Sequence, residues 1–249
     1  MTNAIYVMWL RQLIRYWRTR SRIIGSLAQP VLFLVALGFG LGPIYAQAGS
    51  GDYIQFLAPG IIGMSILFTA MFSGMEVIWD RQLGFLKETL VSPSSRFSIF
   101  LGRTLGGATV ALIQGIILLL ITLLFGFKPL NLALLPLALL FMFLLAFVFT
   151  ALGTALASKV QDMQAFPMIM NFIIMPVFFL SGAIFPLESA PQGIKIIAMF
   201  DPLSYQIDAL REIFTGVSHF GLVIDFAVTL VCIIFVTLLG IYLFNRVEV

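Results

Sequence analysis

LSGAIFPLE, at residues 180–188, and DPLSYQIDALR, at residues 201–211, form the stretch that decides how this chain is organised. Both pieces are rich in proline, glycine and charge, although the chain around them is hydrophobic enough to reside in a bilayer. They lie between the last two of six long apolar segments. The stretch is therefore a connection outside the hydrocarbon, and the apolar segments beside it are candidate membrane spans.

The composition indicates that lipid is the solvent. Of the 249 residues, 61% are hydrophobic and 10% are charged, whereas soluble domains average about 45–50% apolar and ~25% charged residues. A soluble fold could not bury that much apolar surface. The single cysteine, Cys232, lies within an apolar run and is expected to be a small core residue.

Six apolar segments predict an all-α membrane protein with a single transmembrane domain over residues 1–249. Each segment is close to the ~20 residues that cross the hydrocarbon. Pro136, Pro167 and Pro176 predict kinks, and the short connection at 127–130 predicts an antiparallel hairpin. The predicted spans cover residues about 23–43, 54–78, 104–127, 131–157, 164–185 and 220–244.

Residues 1–22 predict a helix that lies in the membrane interface. On a helical wheel, aromatic and aliphatic side chains fall on one side and arginines on the other. A solvated basic arm is the alternative. The apolar side comprises Ile5, Trp9, Leu13, Tyr16 and Trp17, and the basic side comprises Arg11, Arg15, Arg18 and Arg22.

The distribution of lysine and arginine predicts the orientation. With the N-terminus inside the cell, only Lys128, Lys195 and Arg211 of the 14 basic residues face outward. Both termini are then cytoplasmic, as an even number of spans requires. The same distribution accounts for the net charge of +3 through contact with anionic membrane lipid, so nucleic acid is not an expected partner.

The sequence carries no recognisable catalytic, cofactor or metal site. No stretch matches the Gly-rich phosphate loop that ends in Gly-Lys-Ser/Thr. The only histidine, His219, lies in a loop and is expected to be solvated. No cluster of His or Cys could hold a catalytic metal, so we do not expect this chain to be an enzyme by itself.

The loop at residues 79–103 contains a short amphipathic helix. Leu83, Leu86 and Leu90 fall on one face, and Pro93 is expected to end the helix. Such a helix can dock its apolar face into a groove of a partner protein. It can equally lie on the lipid surface, and the pattern leaves both interpretations open.

The loop that contains DPLSYQIDALR predicts a folded lid over the outer end of the spans. Its apolar piece at 194–200 is too short to span and indicates a re-entrant or interfacial element. Asp201 is a candidate N-cap for a helix that reaches Phe214, with Gly216 as its C-cap. Asp208 and Arg211 are three residues apart and can pair on that helix.

Polar residues within the spans are few. Gln114 and Asn171 are expected to hold helices together by hydrogen bonds. Glu76 and Asp225 lie near span ends, where their carboxylates are expected to reach water or head groups. The spans show no chain of buried acids, which argues against a proton-coupled carrier.

Several motifs resemble the permease subunits of type-2 ABC exporters, and most of all the daunorubicin-resistance and nodulation-factor export branch. The resemblance covers almost the whole chain, and the last three pieces, in their order and spacing, are the most specific. The chain has no attached ATPase and no large external domain, as in stand-alone permease subunits. The motifs are QPVLFLVALGFGLG (29–42), YIQFLAPGIIGMSILFTAMFSG (53–74), DRQLGFLKETLVSPSSR (80–96) with LGR (101–103), LSGAIFPLE (180–188), DPLSY (201–205) and DALR (208–211).

This resemblance implies a coupling helix, short re-entrant helices in the last external loop, and a prokaryotic plasma membrane location. Members of the family work as two six-span units with two ATPase domains, so a second copy or a paralogue and an ABC ATPase dimer carrying ATP and Mg are the implied partners. The coupling helix would seat on that ATPase through Arg81, Gly84, Leu86 and Glu88. The external-loop motif residues are Ser181, Gly182, Pro186, Pro202, Tyr205, Asp208 and Arg211.

Residues on the second and fifth predicted spans could line a pathway for an apolar or amphipathic substrate such as a drug, a lipid or a lipid-linked oligosaccharide. Each of them could instead face lipid or pack between helices. An ATP-independent channel or carrier, or a scaffold without transport, is the alternative function. The candidates are Met64, Phe68, Phe72, Asn171, Met175 and Phe178.

Overall fold

The computed structural model describes residues 2–47, 52–91 and 94–246, and it contains no strand within these ranges. Two single 3₁₀ turns, Leu132–Leu134 and Leu187–Ser189, accompany the α-helices. The helices are α1 (Thr2–Arg18), α2 (Arg20–Gln47), α3 (Tyr53–Ser73), α4 (Met75–Gln82), α5 (Phe85–Val91), α6 (Arg96–Leu124), α7 (Leu135–Ala157), α8 (Ala165–Leu180), α9 (Gln192–Phe200), α10 (Pro202–Thr215) and α11 (Leu222–Asn245).

Five helical stretches in the described part are long and apolar enough to cross a membrane, which makes the chain an integral membrane protein. They are Ile23–Tyr45, Tyr53–Gln82, Arg96–Leu124, Leu132–Ala157 and Leu222–Asn245. The segment predicted as the fifth span, 164–185, forms only the 16-residue helix α8. At 1.5 Å per residue α8 is about 24 Å long, which is shorter than the ~30 Å hydrocarbon.

Two predictions about chain geometry are wrong. Pro136 and Pro167 lie in the first turns of α7 and α8, where proline is tolerated, and only Pro176 lies inside its helix. The connection between α6 and α7 runs from Phe125 to Leu134 and includes a 3₁₀ turn, so it is longer than predicted. The two helices nevertheless pack against each other.

Helix α3 is the centre of the bundle. It packs against α2, α6, α7, α8 and α10, and most of its side chains are buried. The outer helices α2 and α11 bury only the stripe that faces α3, α6, α7 and α10. An apolar surface of this extent is expected when lipid replaces water around the bundle.

Helix α1 packs along α6. A Cβ atom at Gly102 would lie 2.8 Å from the Ile5 carbonyl oxygen, and one at Gly106 would lie 2.6 Å from a Gln12 carbon. The Gly-x-x-x-Gly spacing on α6 therefore admits α1 at close range. Trp9 Nε1 reinforces the contact by donating to Thr109 Oγ1 at 3.0 Å.

Candidate functional site

The loop at 79–103 forms two helices joined by a turn at Gly84. Gly84 has a φ of +81°, a conformation that side chains other than glycine rarely adopt, and it separates α4 from α5. Leu86 is fully buried, whereas Leu83 precedes α5 and is 67% exposed. The prediction that Leu83 belongs to the apolar face of this short helix is therefore wrong. The side chain of Leu90 and the predicted stop at Pro93 lie outside the described residues.

Arg81 holds this turn against the end of α7. Its guanidinium donates to the Ser158 carbonyl at 2.9 Å and the Val160 carbonyl at 3.2 Å. Carbonyls at the end of a helix lack helical partners, so the arginine satisfies groups that would otherwise be unpaired. Glu88, in contrast, is exposed on α5 and can meet a partner protein.

A buried charge cluster ties α4 to α1 and α6. Asp80, which is 2% exposed, accepts from Arg103 Nη2 through Oδ2 and from Arg11 Nη2 through Oδ1, both at 2.5 Å. Arg15 lies 3.8 Å from the Glu76 carboxylate and 4.8 Å from the centre of the Trp79 ring. The Asp80–Arg103 pair is buried and fixes α4 against α6, and the partly exposed Arg11 and Arg15 extend the cluster to α1.

This cluster corrects two predictions. Glu76 is buried rather than open to water, and Arg11 and Arg15 turn toward α4 rather than forming a free basic face. Trp17 is 72% exposed and does not join the packed side of α1. Sequence reasoning did not single out Asp80, although an acid at the end of an apolar span next to an arginine-rich helix was the available signal.

A groove of about 600 Å³ opens between α1 and the α4–α5 turn. Three arginines line it together with aliphatic and aromatic side chains. Such a groove presents both charge and apolar surface next to the α4–α5 turn. The lining includes Arg11, Arg15, Arg18, Val7, Leu10, Ile14, Leu83 and Phe85.

The segment DPLSYQIDALR forms the helix that its sequence predicts. Asp201 caps α10 by accepting from the Leu203 amide at 2.9 Å, and Gly216 ends the helix with a φ of +74°. Burial raises the pKa of Asp201 to about 7. The preceding apolar piece is helix α9, and Pro202 is the first residue of α10.

Asp208 and Arg211 do not pair with each other. Asp208 accepts from Ser218 Oγ and from the amides of His219 and Phe220, at 2.7–3.1 Å. Arg211 donates to the Gly182 carbonyl at 3.0 Å and lies 4.0 Å over the Phe56 ring. Asp208 thus folds the chain from α10 into α11, and Arg211 fastens α10 to α3 and to the end of α8.

The other motif residues are also structural. Ser181 donates to the Phe178 carbonyl, and Tyr205 donates to the Met199 carbonyl, both at 2.8 Å. Pro186 precedes the 3₁₀ turn that contains Glu188. His219 is not simply solvated as predicted, because its Nδ1 lies 2.9 Å from a Glu188 carboxylate oxygen.

Asp225 is placed differently from its prediction. It is fully buried in the first turn of α11 instead of reaching water. Neither of its oxygens has a hydrogen-bond partner among the described residues. Gln114 behaves as predicted: it accepts from the Tyr16 hydroxyl and donates to Ser26 Oγ at 2.8 Å, which joins α1, α2 and α6.

The six pathway candidates do not form one surface. Phe68 and Phe72 stack on each other and line a cavity of about 240 Å³ between α1, α2 and α3. Met64 and Phe178 are buried in the core. Two candidates on α8 differ again: Asn171 is exposed and Met175 is partly buried.

Among the described residues, no group of three His, Cys, Asp or Glu side chains could hold a metal ion.

The family model described as "ABC-2 type transporter" matches residues 3–215. "Putative transport permease ycf38" from Cyanophora paradoxa is 27% identical over 98% of this chain and 89% of its own length. The protein of the same name from Pyropia yezoensis is 30% identical over 87% of this chain and 75% of its own length. "Nodulation protein J" from Rhizobium leguminosarum bv. trifolii is 30% identical over 84% of this chain and 80% of its own length.

Proposed function

The chain belongs to the ABC-2 type transporter family, and from this premise we propose that it is the membrane permease subunit of an ATP-driven exporter. The reaction chemistry would belong to a separate ABC ATPase dimer that binds ATP and Mg. A second copy of this chain, or a paralogue, would complete the transporter. The observation that carries the proposal is the α4–Gly84–α5 element, whose exposed Glu88 is presented on a rigidly anchored short helix.

In the proposed topology, α8 is the remaining span and both termini are cytoplasmic. Two spans, α2 and α3, lie between α1 and the α4–α5 turn, so the arginines of α1 and that turn are on the same side of the membrane. The excess of basic residues on this side favours the cytoplasm. Helices α9 and α10 then form the outer cap as re-entrant elements. The membrane is the plasma membrane of a prokaryote.

The proposed mechanism follows from how α5 is attached. Closure of the ATPase dimer around ATP would push α5 toward the membrane. Arg81 would pass this displacement to α7, and the Asp80 cluster would pass it to α1 and α6. Because packed helices move as rigid bodies rather than deforming, the spans would rock together and open the pathway outward.

An apolar or amphipathic substrate, such as a drug, a lipid or a lipid-linked oligosaccharide, suits the proposed pathway. The Phe68–Phe72 cavity supports this class because aromatic rings form one wall, while Ser26 and Gln29 supply polar groups at another. A mixed lining of this kind accommodates molecules with both apolar and polar parts.

The first test is co-purification with the ATPase from the native host, followed by an assay of ATP hydrolysis. Glu88→Arg is expected to weaken the recovery of ATPase and to uncouple hydrolysis from transport. Lys159→Glu is the matched control, since it reverses one exposed cytoplasmic charge outside α5. Unchanged transport by Glu88→Arg would exclude the assigned coupling helix, and the absence of any ATPase from the wild-type preparation would exclude the exporter.

A further inference from the structure

Helices α10 and α11 pack against each other along a polar seam. On α11, Asp225 and Thr229 are one turn apart, and both are fully buried. On α10, Ser204, Asp208 and Glu212 follow one another at intervals of four residues on a single face. Helix α10 packs against α11, and Asp208 on this face accepts from the amides of His219 and Phe220 just before α11 begins, so this face is turned toward α11.

Most polar atoms of this seam lack a partner among the residues that the structure describes. This holds for both oxygens of Asp225, for Thr229 Oγ1, for Ser204 Oγ and for Glu212 Oε2. Asp208 is the exception, because Ser218 and the amides of His219 and Phe220 satisfy its oxygens. Asp208 is therefore already engaged with these three groups and does not serve Asp225 as a partner.

Among the residues that the structure describes, no cation forms an ion pair with Asp225. Helix α7 has no titratable side chain, and the arginines of α6 lie at its other end. On α10, Arg211 is engaged with Gly182 and Phe56. His219 in the connecting loop lies against Glu188. The remaining titratable groups of the seam are Asp201, Tyr205 and Cys232, which add no positive charge.

An unpaired carboxylate in such a place is strongly unfavourable, because burial removes its hydration without supplying a counter-charge. A protonated carboxyl costs far less and has an O–H group that can donate to an oxygen of the seam. The described carboxyls do not form the three-ligand group that a metal ion would need. A proton is therefore the cation that fits.

We propose that the α10–α11 seam is a proton-binding site in which Asp225 carries the proton and Thr229, Ser204 and Glu212 surround it. Release is a simple O–H ionisation: the proton passes to external water, and both electrons stay on the carboxylate. The resulting charge then repels Asp208 and Glu212 and loosens α10 from α11. Since α10 is the helix that Arg211 fastens to α3 and α8, proton release loosens the outer cap. The site itself does not depend on the proposed export function, and only its placement on the outer side follows the proposed topology.

Infrared spectroscopy of the full chain in lipid nanodiscs tests the site, because the C=O stretch of a protonated carboxylic acid is distinct from that of a carboxylate. Ordinary Asp and Glu are ionised at pH 7, so only perturbed carboxyls contribute. Asp201 would contribute too, and an Asp201→Asn background removes it while its cap oxygen is kept. We expect that background to retain one acid band per chain at pH 7, and Asp225→Asn to abolish it. Asp162→Asn, which changes an exposed carboxylate and keeps its capping oxygen, is the matched control and leaves the band intact.

The natural cysteine supplies a second measurement. Cys232 lies two turns along α11 from Asp225, and it is partly buried. In the wild type, the rate of Cys232 alkylation is expected to rise between pH 6 and about pH 9 for two reasons: more thiolate forms, and loosening of α10 from α11 exposes the thiol. In Asp225→Asn only thiolate formation contributes, so the rise should be less steep. If alkylation rises equally steeply with pH in the wild type and in Asp225→Asn, the proposed loosening of α10 from α11 is wrong. If an Asp201→Asn chain shows no infrared band of a protonated carboxyl at pH 7, the proton site is wrong, and this result does not require Asp225→Asn to fold.

Discussion

Removal of the Asp80 charge is the sharpest test of how α1, α4 and α6 are held together. Asp80→Asn keeps the size of the side chain and one acceptor oxygen, but it leaves Arg103 without its counter-charge. Arg103 is 3% exposed, and its Nε and Nη1 have no partner among the described residues. Leaving a buried ion uncompensated costs about 3–5 kcal/mol. The Arg11 side chain is 38% exposed, so its contribution to the pair is only ~0–1 kcal/mol.

The expected result is a marked loss of thermal stability. For a chain of this size each kcal/mol lowers the melting temperature by about 2–4 °C, so Asp80→Asn should lower it by roughly 10 °C. Arg11→Gln is the matched control and should change it by about 0–4 °C. A thermal-shift assay on the purified chain in detergent measures both. The double variant Asp80→Asn/Arg103→Met should recover most of the loss, because it removes the stranded cation.

If Asp80→Asn and Arg11→Gln have the same melting temperature, this reasoning is refuted. Failure of the Arg103→Met rescue would also contradict it, because the penalty would then come from lost packing or hydrogen bonds rather than from the unpaired charge.

Three other predictions test the turn at Gly84, the proposed topology and the start of helix α10. Gly84→Ala should destabilise the turn by about 1 kcal/mol or more, because its φ is positive, and should lower ATPase co-purification; an unchanged yield would contradict this. In a Cys232→Ser background, Gln192→Cys should react with an impermeant thiol reagent in intact cells and Asp162→Cys only after lysis; the reverse pattern would invert the topology. Burial raises the pKa of Asp201 to about 7, above the ordinary value of about 3.9. Its contribution to stability is therefore complete below about pH 4 and is lost as the pH rises through 7, and Asp201→Asn should flatten a melting-temperature series over that window.

Local sequence signals predicted the parts of the fold that depend on neighbouring residues. Asp201 and Gly216 were recognisable as the ends of α10 because capping needs only the adjacent backbone. The apolar runs located most of the long helices because a span requires a fixed length. The run at 164–185 overestimates the length of its helix, because apolar residues continue past Leu180, where the chain turns at Ser181 and Gly182.

Charged residues near span ends were predicted less well, because their environment is built by distant parts of the chain. Asp80 meets Arg11 across 69 residues, and no local pattern reports such a pairing. Asp225 lies close to the end of α11, which suggested contact with water. Helix α10 folds back over it and covers it, and this burial depends on the tertiary arrangement of the loop.

The seat of α1 on α6 has a consequence for biosynthesis. The hydrogen bond between Trp9 and Thr109 joins residues 100 positions apart, so the surface that receives α1 does not exist when α1 leaves the ribosome. At about 5–20 residues per second, the nascent chain needs roughly 5–20 s to supply it. During that interval α1 has no seat on the bundle, and its arginines favour binding to an anionic membrane surface. Completion of α6 then draws α1 away from the lipid, so this docking follows the synthesis of α2 and α3 and is not the first step of assembly.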